Sequence, residues 1–261
     1  MEYRGALGAT NMEQQMQTVT PRFSICIPTF NGARYIKEQL NSIIPLLNKQ
    51  DEIIVLDDCS SDGTLATLKT IEFPGLQVFQ NDVNNGLLKS IEKLLRLANG
   101  SYIILADQDD IWLPNRISTV VDLLESGIDF IVTDAVVVDS ACNVITNSYF
   151  EKVKVSNSFL INFYSCGILG CCIAFNRKLL SSALPFPNNS LIPHDLWLYL
   201  VAKLTYSKIL FSPEKCILYR RHKNTVSSAG FGSKRSFKKI LLARLILGYY
   251  LILRFFRLHS Q

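Results

Sequence analysis

Five short runs rich in β-branched residues, FSICI (23–27), EIIVL (52–56), LQVFQ (76–80), YIILA (102–106) and DFIVT (129–133), punctuate the first half of the chain. The segments between them carry helical periodicity. In ARYIKEQLNSIIPLL, residues Ile36, Leu40, Ile43 and Leu47 recur at three- and four-residue spacing. LLKSIEKLLRLANG repeats the pattern and stops at Asn99-Gly100, a helix terminator. Strand and helix in alternation require crossovers between parallel strands, so the pattern predicts an α/β fold with a mostly parallel sheet flanked by helices.

Ligands bind such sheets at the carboxyl ends of the strands. Polar clusters sit at those ends: PTFNG after the first strand, DDCSSDGT after the second, NDVNNG after the third and DQDD after the fourth. One such loop is ordinary; four on one edge point to a site. Beyond residue 135, GCCIAF (170–175) and KCILYR (215–220) read as strands, HDLWLYLVAKL (194–204) as a buried helix and PFPNNS (185–190) as a loop. This second half is expected to complete the site and select a second substrate. Neither G-x-G-x-x-G nor G-x-x-x-x-G-K-[ST] occurs, so a dinucleotide fold or a P-loop is unsupported.

A chain of 261 residues, 48% hydrophobic and 19% charged, can bury a sizeable core. Its seven cysteines (26, 59, 142, 166, 171, 172 and 216) are odd in number and form no C-x-x-C pair, which fits a reducing cytoplasm. Residues 1–21 read as a disordered leader without the apolar centre of a signal peptide. The net charge of +5 is uneven: KRSFKK (234–239) with Arg244, Arg254 and Arg257 makes the C-terminus basic, which suggests an anionic surface as partner. No nucleic-acid partner is expected. The tail, 231–261, is apolar with scattered arginines and reads either as a helix packed on the domain or as an interfacial helix beside anionic lipid. The latter would make the protein peripheral on the inner face of the cell membrane.

Three carboxylates crowd four positions at Asp107, Asp109 and Asp110. Like charges about 4 Å apart repel by roughly 1 kcal/mol in water and about 4 kcal/mol at the effective dielectric of a protein surface, so the cluster needs solvent or a cation. If the strand continues, Asp107 and Asp109 point to one side and supply hard oxygen ligands for Mg²⁺ or Mn²⁺, which would hold a diphosphate. In DDCSSDGT, helix capping accounts for one or two residues; a remaining carboxylate suits a nucleobase imide or a ribose hydroxyl. Asp195, in HDLWL, is either a helix cap or a general base. His222, in YRRH, either coordinates a metal or meets a diphosphate, with Arg220 and Arg221 as charge partners.

The ordered series ICIPTFNG, IIVLDDCSSDGT, NNG, GSYIILADQDDIWLPNR, HDLWL and YRRHKNTVS resembles the family-2 glycosyltransferases of the GT-A fold, especially bacterial rhamnosyltransferase-like members, over about residues 22–228. The resemblance implies a Rossmann-like GT-A domain at 22–230, with a nucleotide-sugar half at 22–133 and an acceptor half at 134–230. It implies Thr29 and Asp58 at the nucleotide base, Asp107 at the ribose or sugar, Asp109 on a Mn²⁺ or Mg²⁺ ion, and Asp195 as base. Pro28, Asn31, Gly86, His194 and Arg221 complete the substrate contacts, and His222 joins the metal. The implied reaction is inverting transfer of a sugar, rhamnose first and then the sugars of uridine diphosphate donors, onto a surface polysaccharide or lipid-linked oligosaccharide such as O-antigen. The rival is a non-catalytic module that binds nucleotide sugar or glycan. A sugar nucleotidyltransferase would need a Gly-rich basic loop near the first strand, which is missing. Cys59 stands where this family often has Gly.

Overall fold

The computed structural model describes residues 20–205, 207–223 and 237–260. The expected leader, up to residue 19, lies outside the described residues, as do residues 224–236 with the end of YRRHKNTVS and the first half of KRSFKK. Nine strands form one sheet: β1 (Phe23–Thr29), β2 (Glu52–Asp57), β3 (Leu76–Gln80), β4 (Tyr102–Leu105), β5 (Ile111–Trp112), β6 (Phe130–Val138), β7 (Val144–Thr146), β8 (Ile173–Asn176) and β9 (Ile209–Arg220). Their order is β3-β2-β1-β4-β8-β6-β9-β5, with β7 paired to β6. The helices are α1 (Ile36–Ile43), α2 (Thr64–Leu68), α3 (Leu87–Leu97), α4 (Arg116–Glu125), α5 (Tyr149–Val153), α6 (Phe159–Tyr164), α7 (Leu179–Ala183), α8 (His194–Leu204) and α9 (Phe237–His259).

Every residue of β1 and β2 is buried, as expected for central parallel strands covered on both faces. The apolar stripes read from the sequence do this covering: Ile36, Leu40 and Ile43 of α1 and Ile91, Leu94 and Leu95 of α3 are all buried. The sheet is parallel through β3-β2-β1-β4 and again between β6 and β9. It is antiparallel where β8 pairs with β4 and β6. The strand DFIVT is therefore not the neighbour of β4. Between β6 and β8 the chain makes β7, α5 and α6 without crossing the sheet, so β8 starts at the carboxyl end of β6 and runs back.

The register sets the site. Thr29 lies beside Asp57, and Asp57 beside Gln80, so β1, β2 and β3 end flush. β4 stops three residues earlier, with Leu105 opposite Cys26. The chain after it can therefore turn across the end of β1. Behind this edge, α8 is buried from Leu196 to Ala202 and touches α6, α7 and α9. Burial of a side chain as large as Trp197 contributes about 1.5–3 kcal/mol, so the start of α8 is a rigid mount.

Candidate active site

DQDD is a turn and not a strand, because β4 ends at Leu105. Asp107 and Asp109 both reach the cleft at the strand ends, but through this turn rather than through the alternation of a pleated strand. Gln108, between them, fixes the turn: its Oε1 accepts from the Thr29 hydroxyl (2.6 Å) and the Phe30 amide (2.9 Å), and its Nε2 donates to the Phe30 carbonyl (3.3 Å). The approach is so close that a Cβ on Gly32 would lie 2.3 Å from Gln108 Oε1. PTFNG and DQDD are thereby locked to one another.

The second cluster divides its labour. Asp57 accepts from the Ser60 amide (2.9 Å), and Asp62 from the Thr64 amide (3.0 Å) at the start of α2 and from the Ala33 amide (3.1 Å). Asp58 reaches the third loop instead, accepting from Asn81 Nδ2 (2.8 Å) and from the amides of Asn85 (2.9 Å) and Gly86 (2.8 Å). It therefore shapes NNG while lining the cleft. Cys59 sits at φ 65°, in the left-handed region, which is the physical reason for a glycine there; its Sγ contacts the Asp82 carbonyl at 3.5 Å.

The three acids of DQDD occupy different environments. Asp109 Oδ2 is 2.6 Å from His222 Nε2. Tyr35 stacks on the His222 ring with centroids 5.0 Å apart, and the Arg220 guanidinium lies 4.8 Å from the Tyr35 ring centre. Arg220 also donates to the Asp109 carbonyl (2.9 Å) and to Glu38 (2.6 Å), so β9 carries His222 to the turn. Asp110 is buried outside the cleft lining; its Oδ1 accepts from the Arg220 amide (2.9 Å), while burial followed by the charges of Asp109 and Asp107 raises it well above the usual carboxylate range. For Asp107, burial followed by the charges of Asp109 and Asp195 pushes the carboxyl up to about 7. Asp107, Asp110 and Cys171 offer ligand atoms within 4.8 Å of one another. Hydrogen bonding with Cys172 and burial raise the Cys171 thiol well above its ordinary value. Asp109 and His222 set a carboxylate oxygen and an imidazole nitrogen side by side at the cleft wall, two donors of the kinds that divalent metal ions accept.

Across the cleft, α8 opens at His194 with Pro193 at its N-cap and no side-chain cap bond. Asp195 is therefore not the cap. It lies in the first turn, where the helix dipole favours a carboxylate, and its Oδ1 accepts from the Leu196 amide (2.6 Å). Burial lowers the His194 pKa, so the imidazole is neutral at neutral pH. Its ring packs on Gly170, where an added Cβ would lie 2.5 Å from Nε2.

One cleft of about 2310 Å³ is lined by Pro28, Thr29, Asn31, Asp58, Gly86, Asp107, Asp109, His194, Asp195 and His222. Arg221 alone among the sequence-predicted site residues is absent from that lining; its amide donates to the Val138 carbonyl (2.8 Å) and its guanidinium reaches the Tyr219 hydroxyl at 3.5 Å. Tyr35, Gln108, Gly170 and Cys171 escaped the sequence reading. Gln108, inside DQD, was the one with a visible signal.

The family model for glycosyl transferase family 2 matches residues 24–184, more than half of the chain. The chain belongs to that family. Among curated proteins, it is 28% identical to the dTDP-rhamnosyl transferase RfbG of Shigella flexneri, over 83% of this chain and 78% of that one. It is 26% identical to the UDP-Glc:alpha-D-GlcNAc-diphosphoundecaprenol beta-1,3-glucosyltransferase WfgD of Escherichia coli, over 80% of each. Among solved structures, TarS 1-349 of S. aureus in complex with UDP-GlcNAc matches with a TM-score of 0.67 and 23% identity, over 86% of this chain. This chain spans 65% of that one, just under two thirds of its length. The mannosyltransferase PcManGT of Pyrobaculum calidifontis, in complex with GDP-Man and Mn²⁺, matches with a TM-score of 0.57 and 17% identity, over 88% of this chain and 70% of that one. These structures share the GT-A fold. In family 2 terms, the matched segment holds the three strand-end clusters and DQDD but stops short of Asp195 and His222.

Proposed function

We propose that this family 2 member is a metal-dependent, inverting glycosyltransferase that moves one sugar from a nucleoside-diphosphate donor to a hydroxyl of a glycan or lipid-linked oligosaccharide in surface-polysaccharide assembly. Rhamnose from its deoxythymidine diphosphate donor is the first candidate, supported by the likeness to RfbG; glucose from UDP-Glc follows, supported by WfgD. The observation that carries the reading is the convergence of the PTFN, DDCSSDGT, NNG, DQDD, HD and YRRH residues on one cleft. Its volume exceeds the roughly 300–1,000 Å³ of a single small-ligand site, so donor and acceptor fit together.

Asp58, with Pro28, Thr29, Asn31 and Gly86, forms the end that receives the nucleotide. Asp107 faces the ribose and sugar. Asp109 and His222 would hold Mn²⁺ or Mg²⁺, which when bound offsets the charge of the departing diphosphate. Asp195, whose negative charge is felt at Asp107, takes the proton from the acceptor hydroxyl as its oxygen attacks the anomeric carbon and the bond to the diphosphate breaks. A single displacement with one base and no protein nucleophile inverts the anomeric configuration. His194, neutral and packed behind Asp195, sets the position of the base and borders the acceptor. The reaction would take place in the cytoplasm, with the acceptor held at the inner face of an anionic membrane.

The test is a panel of nucleotide sugars assayed for diphosphate release with membrane extract as acceptor source, with and without chelator. Release with one donor, dependent on extract and abolished by chelator, is the expected result. Tight donor binding without release from any donor would make the chain a binding module.

A further inference from the structure

We propose that α9 and α6 together form a docking face for an anionic lipid bilayer, and that this face borders the acceptor end of the cleft. The inference deepens the proposed function and rests on it only for the identity of the acceptor. A helix on a protein surface has one apolar stripe and one polar face. In α9, Leu247, Leu251 and Arg254 face the protein, yet the opposite stripe is Leu242, Leu245, Tyr249, Ile252 and Phe256, all exposed. Leu245 is 64% and Phe256 65% exposed. An apolar stripe along about four turns of helix is more than scattered surface residues account for.

The stripe does not end with α9. The Arg244 Nη2 donates to the Tyr164 carbonyl (3.0 Å), and a Cβ on Gly248 would lie 3.8 Å from Phe163 Cζ, so α6 is held against the first half of α9. There it adds Leu160, Ile161 and Tyr164, all exposed. Tyr164, Ile240 and Arg244 also line the cleft. The apolar face and the acceptor end of the site therefore share an edge.

Charge selects the partner. α9 carries no Asp or Glu, and its Lys239 and Arg257 are exposed beside the apolar stripe. The same cationic face on a second copy would be repelled, whereas anionic headgroups are attracted to it. Apolar side chains interleaved with Lys239 and Arg257 are the composition of a helix lying in the interface. Among the described residues no helix is long and apolar enough to cross a membrane, so α9 would lie on the bilayer. Arg254 transmits this position inward: its guanidinium donates to the carbonyls of Ser182 (2.9 Å), Leu184 (2.8 Å) and Pro185 (2.5 Å) and lies over the Trp197 ring of α8.

The experiment is co-sedimentation of the full chain with phosphatidylcholine vesicles and with vesicles containing phosphatidylglycerol, at low and high salt. Leu245→Glu/Ile252→Glu in α9 and Leu160→Glu in α6 are compared with wild type, and donor binding is followed by calorimetry in each. The proposal expects binding to the anionic vesicles only, weakened by salt, and reduced by about tenfold or more in each variant, with donor affinity unchanged. Absence of binding by folded wild type, or binding indifferent to all the substitutions, overturns it. Conversion of a wild-type dimer to monomer by the α9 variant, without vesicle binding, would assign the face to a second copy instead. Intact donor binding in any of these outcomes leaves the catalytic reading standing.

Discussion

Gly170→Ala tests how Asp195, the proposed base, is mounted. The new methyl would lie 2.5 Å from His194 Nε2 and 3.2 Å from Cε1, where carbon contacts settle at about 3.5–4.0 Å. The ring must therefore retreat by about 1 Å, and because His194 is buried at the first position of α8, the helix start moves with it. Overpacking of this kind costs about 1–3 kcal/mol, which for a domain of this size is a fall of roughly 2–12 °C in melting temperature. Asp195 is the next residue, and about 1 Å of misplacement costs on the order of 10²-fold in rate. Thermal unfolding, turnover and donor affinity should be measured on Gly170→Ala, His194→Ala and the double variant. Turnover should fall with donor affinity preserved, and the double variant should be no less stable than His194→Ala, because the clashing ring is gone. Wild-type melting and turnover in Gly170→Ala, or losses that simply add in the double variant, would refute this.

Cys59→Gly removes a left-handed non-glycine residue and should raise stability by up to about 1 kcal/mol, read as a higher denaturant midpoint; a lower midpoint would mean that the Sγ contact with Asp82 outweighs the strain. Asp107, raised to about 7 in the fold, contributes stability that is complete below about pH 4 and lost as the pH rises through 7. In chelator the melting temperature should therefore fall between pH 5 and pH 8, and Asp107→Asn should flatten that slope. Arg254→Ala withdraws the anchor of residues 182–185 and should raise the acceptor KM several-fold, beyond any change in donor affinity, whereas a loss of stability with unchanged kinetics would leave Arg254 a purely structural residue.

Local pattern carried much of this fold. The runs at β1, β2, β4 and β6 were legible because burial on two faces demands unbroken apolar strands, two amphipathic helices because their stripes cover that sheet, and α8 was bounded correctly at 194–204. The insertion of β8 between β4 and β6 was not, because pairing partners leave no trace in periodicity. At the site, the sequence left Asp195 between cap and base, and Pro193 at the cap position removes the first of these readings. DQDD was legible as the polar end of the fourth strand, but the strand does not continue through it and its turn was not legible. Its shape is dictated by Gln108 bonding to Thr29 and Phe30, contacts almost eighty residues apart in sequence. The stack of Arg220, Tyr35 and His222 is likewise long-range, and the tail revealed its second apolar stripe only once the first was packed.

The most direct measurement of the central claim is turnover beside donor affinity for Asp195→Asn, with the anomeric configuration of the wild-type product read by NMR. The substitution keeps the shape of the side chain and its oxygen for the Leu196 amide, so stability should change little. Loss of a positioned general base costs about 10²- to 10⁴-fold in rate, while the donor contacts proposed for Asp58 and Asp109 would remain. The account predicts that collapse of turnover, unchanged donor affinity and an inverted product. Near-normal turnover in Asp195→Asn, or a product that retains configuration, would contradict it.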